Sequence, residues 1–301
     1  SGPVLVKRFW KGSELPWRVT LDAAMRLEQR ALAAGIDSPS PVPPRTAQFG
    51  AAAQIDGLGI FRAYPFLPHR PLAPDDDIAD WLGETLARIQ HLEPPLAEVP
   101  APTWWYNQFP EVASADWHEW LQKGGATNRA WVPALNHHLR LILDLSVRVT
   151  DVFAATGPHV QTHRDFEPWN VLMVLHGRGA RPVLIDWDVA GPDSANLEAA
   201  HVLTSFAKHG RPAPDTERMR QSVGAYVAAG GQPLRPGPDL LVRTLGMRLA
   251  KISQGIRADL AGTTPRSSLP ASAEAKVLEH IEGLPALIAE TTGWAGGFPR
   301  H

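Results

Sequence analysis

The segment that most restricts how this chain can fold is His163-Arg164-Asp165-Phe166-Glu167-Pro168-Trp169-Asn170 taken with Pro182-Val183-Leu184-Ile185-Asp186-Trp187-Asp188. Between them lie a continuous apolar run, Val171-Leu172-Met173-Val174-Leu175, and a polar connection, His176-Gly177-Arg178-Gly179-Ala180-Arg181. Two short apolar runs joined by a polar, glycine-bearing stretch predict a β-hairpin. Its first strand begins at Asn170 and its second, Val183-Leu184-Ile185, ends at Asp186. Hairpin strands are antiparallel, so Asn170 and Asp186 fall at the same end, with Asp165 a short loop upstream.

The Asp-x4-Asn spacing followed by a strand-terminal aspartate suits phosphoryl transfer. One carboxylate, Asp165, sits beside the hydroxyl that receives the phosphate. An amide and a second carboxylate, Asn170 and Asp186, hold Mg²⁺ against the phosphates without so much charge that they repel the nucleotide. His163 reads as a hydrogen-bonding brace for the loop rather than as a base. Arg164 and Glu167 either touch substrate or phosphate or lie on a solvated surface. Asp188 and Glu198 either attract a cationic substrate or, for Glu198, anchor the following helix.

These residues resemble the aminoglycoside phosphotransferase and choline kinase superfamily, small-molecule kinases with a protein-kinase-like fold. The family loop commonly reads His-Gly-Asp-Leu/Phe-His-x-x-Asn followed by Ile-Asp-Trp/Phe, matched here at His163, Asp165, Asn170 and Ile185-Asp186-Trp187. Trp81 to Gln90 is similar to a family helix, with Gln90 where histidine is usual, and Ala225 to Gly231 is similar to a late helix end. Departures are Arg164 for glycine, Glu167 for histidine, and Asn196-Leu197-Glu198 for Asp-Leu-Ala. The resemblance implies an α+β, two-lobed fold: a small β-rich N-lobe over residues 1–66 and a large, mostly helical C-lobe over 67–301. It also implies ATP and Mg²⁺ as cofactors.

The N-terminal third has its own pattern. Val4-Leu5-Val6-Lys7-Arg8-Phe9-Trp10 predicts a strand centred near Lys7. Thr20 or Asp22 is placed to cap a helix running to about Ala34 and ended by Gly35. On it Leu21, Met25 and Leu32 share a face with Glu28, and a carboxylate on a buried face needs a cation. Lys7 is the expected partner, a pair that in the kinase fold sets the lysine on the α- and β-phosphates. The alternative has Lys7 solvated and Glu28 merely flanking the stripe. Gln48–Gln54 and Leu58–Tyr64 predict a second hairpin about Asp56-Gly57. Ala63–Phe66 follows as a hinge, and by resemblance its backbone holds the adenine edge, with Tyr64 and Phe66 as nucleotide-binding residues. A kinase-like N-lobe places two strands and a phosphate-covering loop ahead of the lysine strand. Only six residues precede Lys7 here, so either upstream residues supply them, the favoured expectation, or this protein covers its phosphates differently.

Composition narrows the classes. Zero cysteines exclude disulfides and thiolate chemistry and fit a cytoplasmic enzyme. A formal charge of −2 gives no reason to expect nucleic acid, and no apolar run spans a bilayer or opens the chain as a signal peptide. No Asp-Phe-Gly or Ala-Pro-Glu follows Asp186, which disfavours a protein kinase, and the absence of Gly-x-Ser-x-Gly disfavours an α/β-hydrolase. Trp104, Trp105, Tyr106, Phe109, Trp117, Trp120 and Trp131 form either an aromatic wall for a ring or cation, or a helix-packing insertion, the latter favoured. Late helices are expected at Ala195–Lys208, Asp215–Ala229, Asp239–Asp259 and Ala273–Thr291. The family resemblance implies a small-molecule partner bearing a hydroxyl, foremost an aminoglycoside-like or other hydroxylated antibiotic. A choline-, ethanolamine- or sugar-type metabolite, or a non-catalytic nucleotide binder, are the alternatives.

Overall fold

The computed structural model of the protein describes residues 2–9, 15–46, 50–92, 114–157, 159–177, 179–262 and 273–298. In chain order they form β1 (Val4–Phe9), α1 (Leu15–Ala33), β2 (Ala52–Ile55), β3 (Gly59–Pro65), β4 (His69–Pro71), α2 (Ala79–Gln90), α3 (Ser114–Ala126) and α4 (Val132–Ala154). There follow β5 (Val160–Thr162), β6 (Val171–His176), β7 (Gly179–Leu184), β8 (Gly191–Asp193), α5 (Ala195–Lys208), α6 (Thr216–Ala228), α7 (Val242–Leu260), α8 (Ala273–Glu282) and α9 (Leu284–Gly296). Short 3₁₀ turns at Pro168–Asn170 and Trp187–Val189 flank the hairpin. Contacts divide the chain into two units, Ser1–Pro102 with Pro158–Arg235 and Phe298–His301, and Thr103–Gly157 with Pro236–Gly297. Both the expected N-lobe residues and the hairpin β6–β7 belong to the first. Among the described residues no helix is long and apolar enough to cross a membrane.

In the first unit β3 is the centre of an antiparallel sheet ordered β1-β3-β2. The β2–β3 turn falls at Asp56-Gly57 as its sequence predicts, with Gly57 at φ 72°. Gln48 lies outside the described residues. Strand β1 pairs with β3 so that Lys7 stands opposite Arg62. Helix α1 begins earlier than expected, at Leu15, which puts Thr20 and Asp22 inside it rather than at a cap. Asp22 instead pairs with Arg26 one turn on, the usual use of such a pair within a helix. The C-terminus is as read: Gly35 takes φ 75°, and Ile36 N donates to Ala31 O at 2.9 Å, closing the last turn.

The hairpin forms with Val171 opposite Leu184, and β4 extends it to a sheet ordered β4-β6-β7. Ile185 N donates to Asn170 O at 2.9 Å, so the two polar ends meet as expected. A two-stranded ribbon, β5 with β8, brackets the loop, with Thr162 opposite Gly191. Helices α2 and α6 pack closely because Gly83 has no side chain: a Cβ there would lie 2.5 Å from Tyr226 N and closer still to Ser222 O. Gln90, where the family carries histidine, joins the same contact by accepting from the Tyr226 hydroxyl at 2.7 Å and donating to Ala195 O at 3.1 Å.

The second unit is helical, α3, α4, α7, α8 and α9. Trp117, Trp120 and Trp131 are core there, and the Trp131 indole donates to Asp259 at 2.9 Å, which favours the packing reading for these three. Trp104, Trp105, Tyr106 and Phe109 lie outside the described residues. The expected helix Ala273–Thr291 is two helices, broken at Gly283. Pro285 has no N–H to offer Ile281 O, so the α8 ladder stops and α9 starts afresh. Gly83→Ala is expected to lower stability by about 1–3 kcal/mol through overpacking of α2 on α6, read as a fall in the thermal unfolding midpoint.

Candidate active site

The loop from His163 to Asn170 is held from beneath by aromatic packing and from the sides by carboxylates. Phe166 is buried and meets Trp81, Phe206 and His163 with ring centroids 5.9, 5.6 and 5.9 Å away. Burial of such a ring contributes about 1.5–3 kcal/mol. Trp187 of the Ile-Asp-Trp segment packs on His163 at 4.7 Å and donates to the Ser38 hydroxyl at 3.0 Å, which fixes the turn carrying Asp188. Glu167 is buried and accepts from His201 Nε2 at 2.7 Å and from the Ser205 hydroxyl. Glu198, fully buried, accepts from Arg164 N at 2.8 Å. The two loop departures from the family pattern are thus internal: Arg164 is buried and Glu167 points onto α5 rather than into solvent. Glu198 anchors the loop itself, not only the helix.

Asp165 is half-buried. The Asn170 side chain donates to both Asp165 O and Asp165 Oδ2 at 2.8 Å, so the amide fixes the carboxylate and presents its carbonyl oxygen as its remaining polar group. His163 Nε2 donates to Ile185 O at 3.1 Å; a carbonyl only accepts, so this nitrogen carries the proton. Complete burial pushes the His163 imidazole down to about 4, outweighing the nearby Asp186 charge. A neutral imidazole committed to a backbone carbonyl is a brace, in agreement with the sequence reading. Asp186 takes φ 69° and Arg164 φ 63°, left-handed values that cost a residue with a Cβ about 1 kcal/mol or more and that cluster at functional sites.

Lys7 reaches this group directly. Its Nζ lies 2.5 Å from Asp186 Oδ1 and 2.6 Å from Asp188 Oδ2. Burial works to lower the ammonium pKa, but the carboxylates of Asp188 and Asp186 outweigh it and hold it above its ordinary value. Asp188 is pushed up to about 6, first by burial and then by the Asp186 charge, with Lys7 opposing. The Lys7–Glu28 pair expected from the sequence does not form. Glu28, fully buried, pairs with Arg62 and accepts from the Tyr64 hydroxyl at 3.2 Å. Register gives the reason. Lys7 and Arg62 share a sheet face, Arg62 sits on the central strand, and a buried guanidinium without a carboxylate would be more costly than a half-exposed ammonium. Arg62 was not singled out in the sequence, although period-two alternation puts it with Ile60 and Tyr64 on the buried face of β3.

A cleft of about 160 Å³ opens beside Lys7 and Asp186, walled by Leu5, Tyr64, Phe66, Leu172 and Ile185. Tyr64 and Phe66 therefore line one cavity with Lys7, whereas Glu28 stands behind it, one layer in. The donor set beside the cleft fits a divalent cation that arrives with phosphates. Asp188 Oδ1 is buried with no hydrogen-bond partner, Asp186 and Asp188 share one ammonium, and the Asn170 carbonyl is a hard oxygen ligand. Among the described residues no ready-made cage of three or more His, Asp or Glu side chains exists.

Residues 2–236 match the family model described as "Phosphotransferase enzyme family". The chain belongs to that family, whose members are of the class of ATP-dependent small-molecule kinases. No curated protein sequence matches it. Among solved structures it is similar to an aminoglycoside phosphotransferase from Alicyclobacillus acidocaldarius, at 16% identity and TM-score 0.57 over 97% of this chain and 86% of that one. A choline/ethanolamine kinase family protein from Mesorhizobium loti is similar at 13% identity and TM-score 0.57, over 98% and 87%. The amicoumacin kinase hAmiN, solved with AMP-PNP, Ca²⁺ and Ami, is similar at 11% identity and TM-score 0.58, over 94% and 81%. These likenesses agree with the α+β, protein-kinase-like fold expected from the loop.

The buried neutral His163 sets a pH dependence. Its folded pKa is depressed below the unfolded value near 6.5, so the unfolded chain binds the extra proton first. Stability from this residue is full above about pH 6.5 and is lost as pH falls toward 4, by about 3 kcal/mol in all. His163→Gln is expected to flatten that part of the acid limb in denaturant titrations between pH 4 and 7. A limb as steep as that of the parent protein would show that another group is responsible.

Proposed function

We propose that the protein moves the γ-phosphoryl group of ATP to a hydroxyl of a small, hydroxylated antibiotic of the aminoglycoside-like kind, with Mg²⁺ as the metal. One observation carries the reading: Asp165 and Asn170 are locked together at the hairpin end that also holds Asp186 and Asp188 on Lys7, beside an apolar cleft. The purine would occupy the apolar part of the cleft, between the Tyr64–Phe66 strand end and the Leu172–Ile185 wall, with backbone groups of Ala63–Phe66 as partners for its edge other than Ala63 O and Phe66 N, which already bond Val42 N and Pro3 O. Residues 1–66 then serve as the nucleotide-side lobe and 67–301 as the catalytic and acceptor-side lobe. Glu28 acts on the nucleotide only through Arg62 and Tyr64. An ATP-consuming reaction of this kind belongs in the cytoplasm.

Bound Mg²⁺, held by Asn170 and Asp186 with Asp188 adjacent, supplies positive charge that offsets the phosphates. Lys7 turns from the two carboxylates to the α- and β-phosphates when the nucleotide enters. Asp165 orients the acceptor hydroxyl and takes its proton as the new O–P bond forms and the bond to the ADP oxygen breaks. Most of the acceleration comes from positioning and electrostatics. Two features support a cationic, ring-bearing acceptor: three aspartates crowd the site, and the Trp169 indole is 67% exposed on the turn that carries Asn170.

The test is mass-spectrometric detection of a singly phosphorylated product. The full chain is incubated with Mg·ATP and a panel of aminoglycosides, other hydroxylated antibiotics, amino alcohols and sugars. Phosphorylation of an antibiotic is expected, reduced by about 10²–10⁴-fold in a folded Asp165→Ala variant. A product only on an amino alcohol or sugar would move the acceptor to the metabolite class. An undiminished product in the variant would remove Asp165 from the chemistry.

A further inference from the structure

We propose that Arg164 is a positioning residue that clamps the Asp165 loop onto the segment following Asp186, and that Gly191 is the space this clamp requires. Arg164 holds φ 63°, a conformation in which a side chain is penalised and glycine is not. A glycine would suit the backbone better, so contacts of the arginine side chain must offset the cost of this conformation. The side chain has one. It is buried, its Nη1 donates to Val189 O at 3.4 Å and its Nη2 donates to Pro192 O. Those carbonyls flank Gly191, which is paired with Thr162 across the β5–β8 ribbon, and the Thr162 hydroxyl donates to Gly191 O at 2.8 Å.

The guanidinium therefore holds the chain on both sides of Gly191, at the Trp187–Val189 turn and at Pro192 of β8. A Cβ on Gly191 would lie 2.9 Å from Nη1 and 3.1 Å from the guanidinium carbon. The group is hydrogen-bonded to two carbonyls, so making room for a Cβ would disturb those bonds. Arg164 N meanwhile donates to Glu198 on α5. One residue thus ties together α5, the loop carrying Asp165 and, through the Trp187–Val189 turn, the backbone that leads from Asp186 and Asp188. Its proper effect is on the relative placement of Asp165 and the paired aspartates. The consequence for turnover rests on the kinase reading; the clamp itself is a property of the fold.

The experiment is a double-mutant cycle of Arg164→Gly and Gly191→Ala in the full chain, with thermal unfolding, kcat and KM for ATP measured at varied Mg²⁺. Glycine relieves the left-handed backbone, so Arg164→Gly folds. It is expected to lower the unfolding midpoint by about 2–4 °C and kcat by about ten- to a hundredfold, with KM for ATP within about twofold and the Mg²⁺ requirement raised. Gly191→Ala alone is expected to do the same by displacing the guanidinium. Added to Arg164→Gly it should cost nothing more, because the group it would strike is gone. Additive losses, or an Arg164→Gly variant equal to the parent in midpoint and kcat, would overturn the proposal. If the parent chain phosphorylates nothing, the kinase reading fails, and non-additivity of the unfolding midpoints still decides the clamp.

Discussion

Everything in the site is arranged around one short contact, that of the Lys7 ammonium with Asp186 and Asp188. Two carboxylates two residues apart repel each other, and burial raises the cost of keeping both ionised. Without Lys7 the turn Trp187–Val189 would carry unbalanced negative charge into a partly enclosed space. With it one of the two negative charges is offset, and the three groups bridge strand β1 to the end of the hairpin. The same cluster is suited to exchange. Lys7 would be free to face phosphates if Asp186 and Asp188 held a divalent cation instead.

The rest of the unit serves to hold that cluster opposite Asp165. Backbone at left-handed φ is unfavourable at both Arg164 and Asp186, and it persists because neighbours over-determine it. Phe166, Trp187 and His163 fill the space beneath, Glu167 and Glu198 fix the loop to α5, and the hairpin register sets Asn170 against Ile185. Behind the cleft Arg62 and Glu28 neutralise each other in the core, which leaves Lys7 uncommitted to α1. That division of labour, with arginine inside and lysine at the edge, follows from which side chain tolerates burial with a fixed partner and which must remain mobile.

Much of the loop was legible in the sequence because its signals are local. Alternating apolar and polar runs placed the hairpin, and antiparallel geometry alone brought Asn170 to Asp186. The expectations that failed involved a choice between distant partners or a break in periodicity. Lys7 and Arg62 stand opposite each other, and the alternation of β3 with its central place in the sheet gives Glu28 to Arg62. The α1 start moved because Thr20 and Asp22 fit a capping pattern that nothing downstream contradicts. Helices α8 and α9 read as one in the sequence, and the missing N–H of Pro285 is the local signal that separates them. The inward direction of Arg164 and Glu167 had no local signal. Charged residues in a loop read as solvated until the carbonyls and helix that receive them are in place.

The central claim, that the Lys7–Asp186–Asp188 cluster is the nucleotide and metal site, is tested most directly by calorimetric titration of ATP with and without Mg²⁺. The parent chain is compared with Asp186→Asn, which removes the charge while keeping a residue that tolerates the left-handed backbone. Mg²⁺ should strengthen ATP binding to the parent by roughly tenfold or more, and that gain should be lost in the variant with its unfolding midpoint preserved. An equal gain from Mg²⁺ in both proteins would contradict the account.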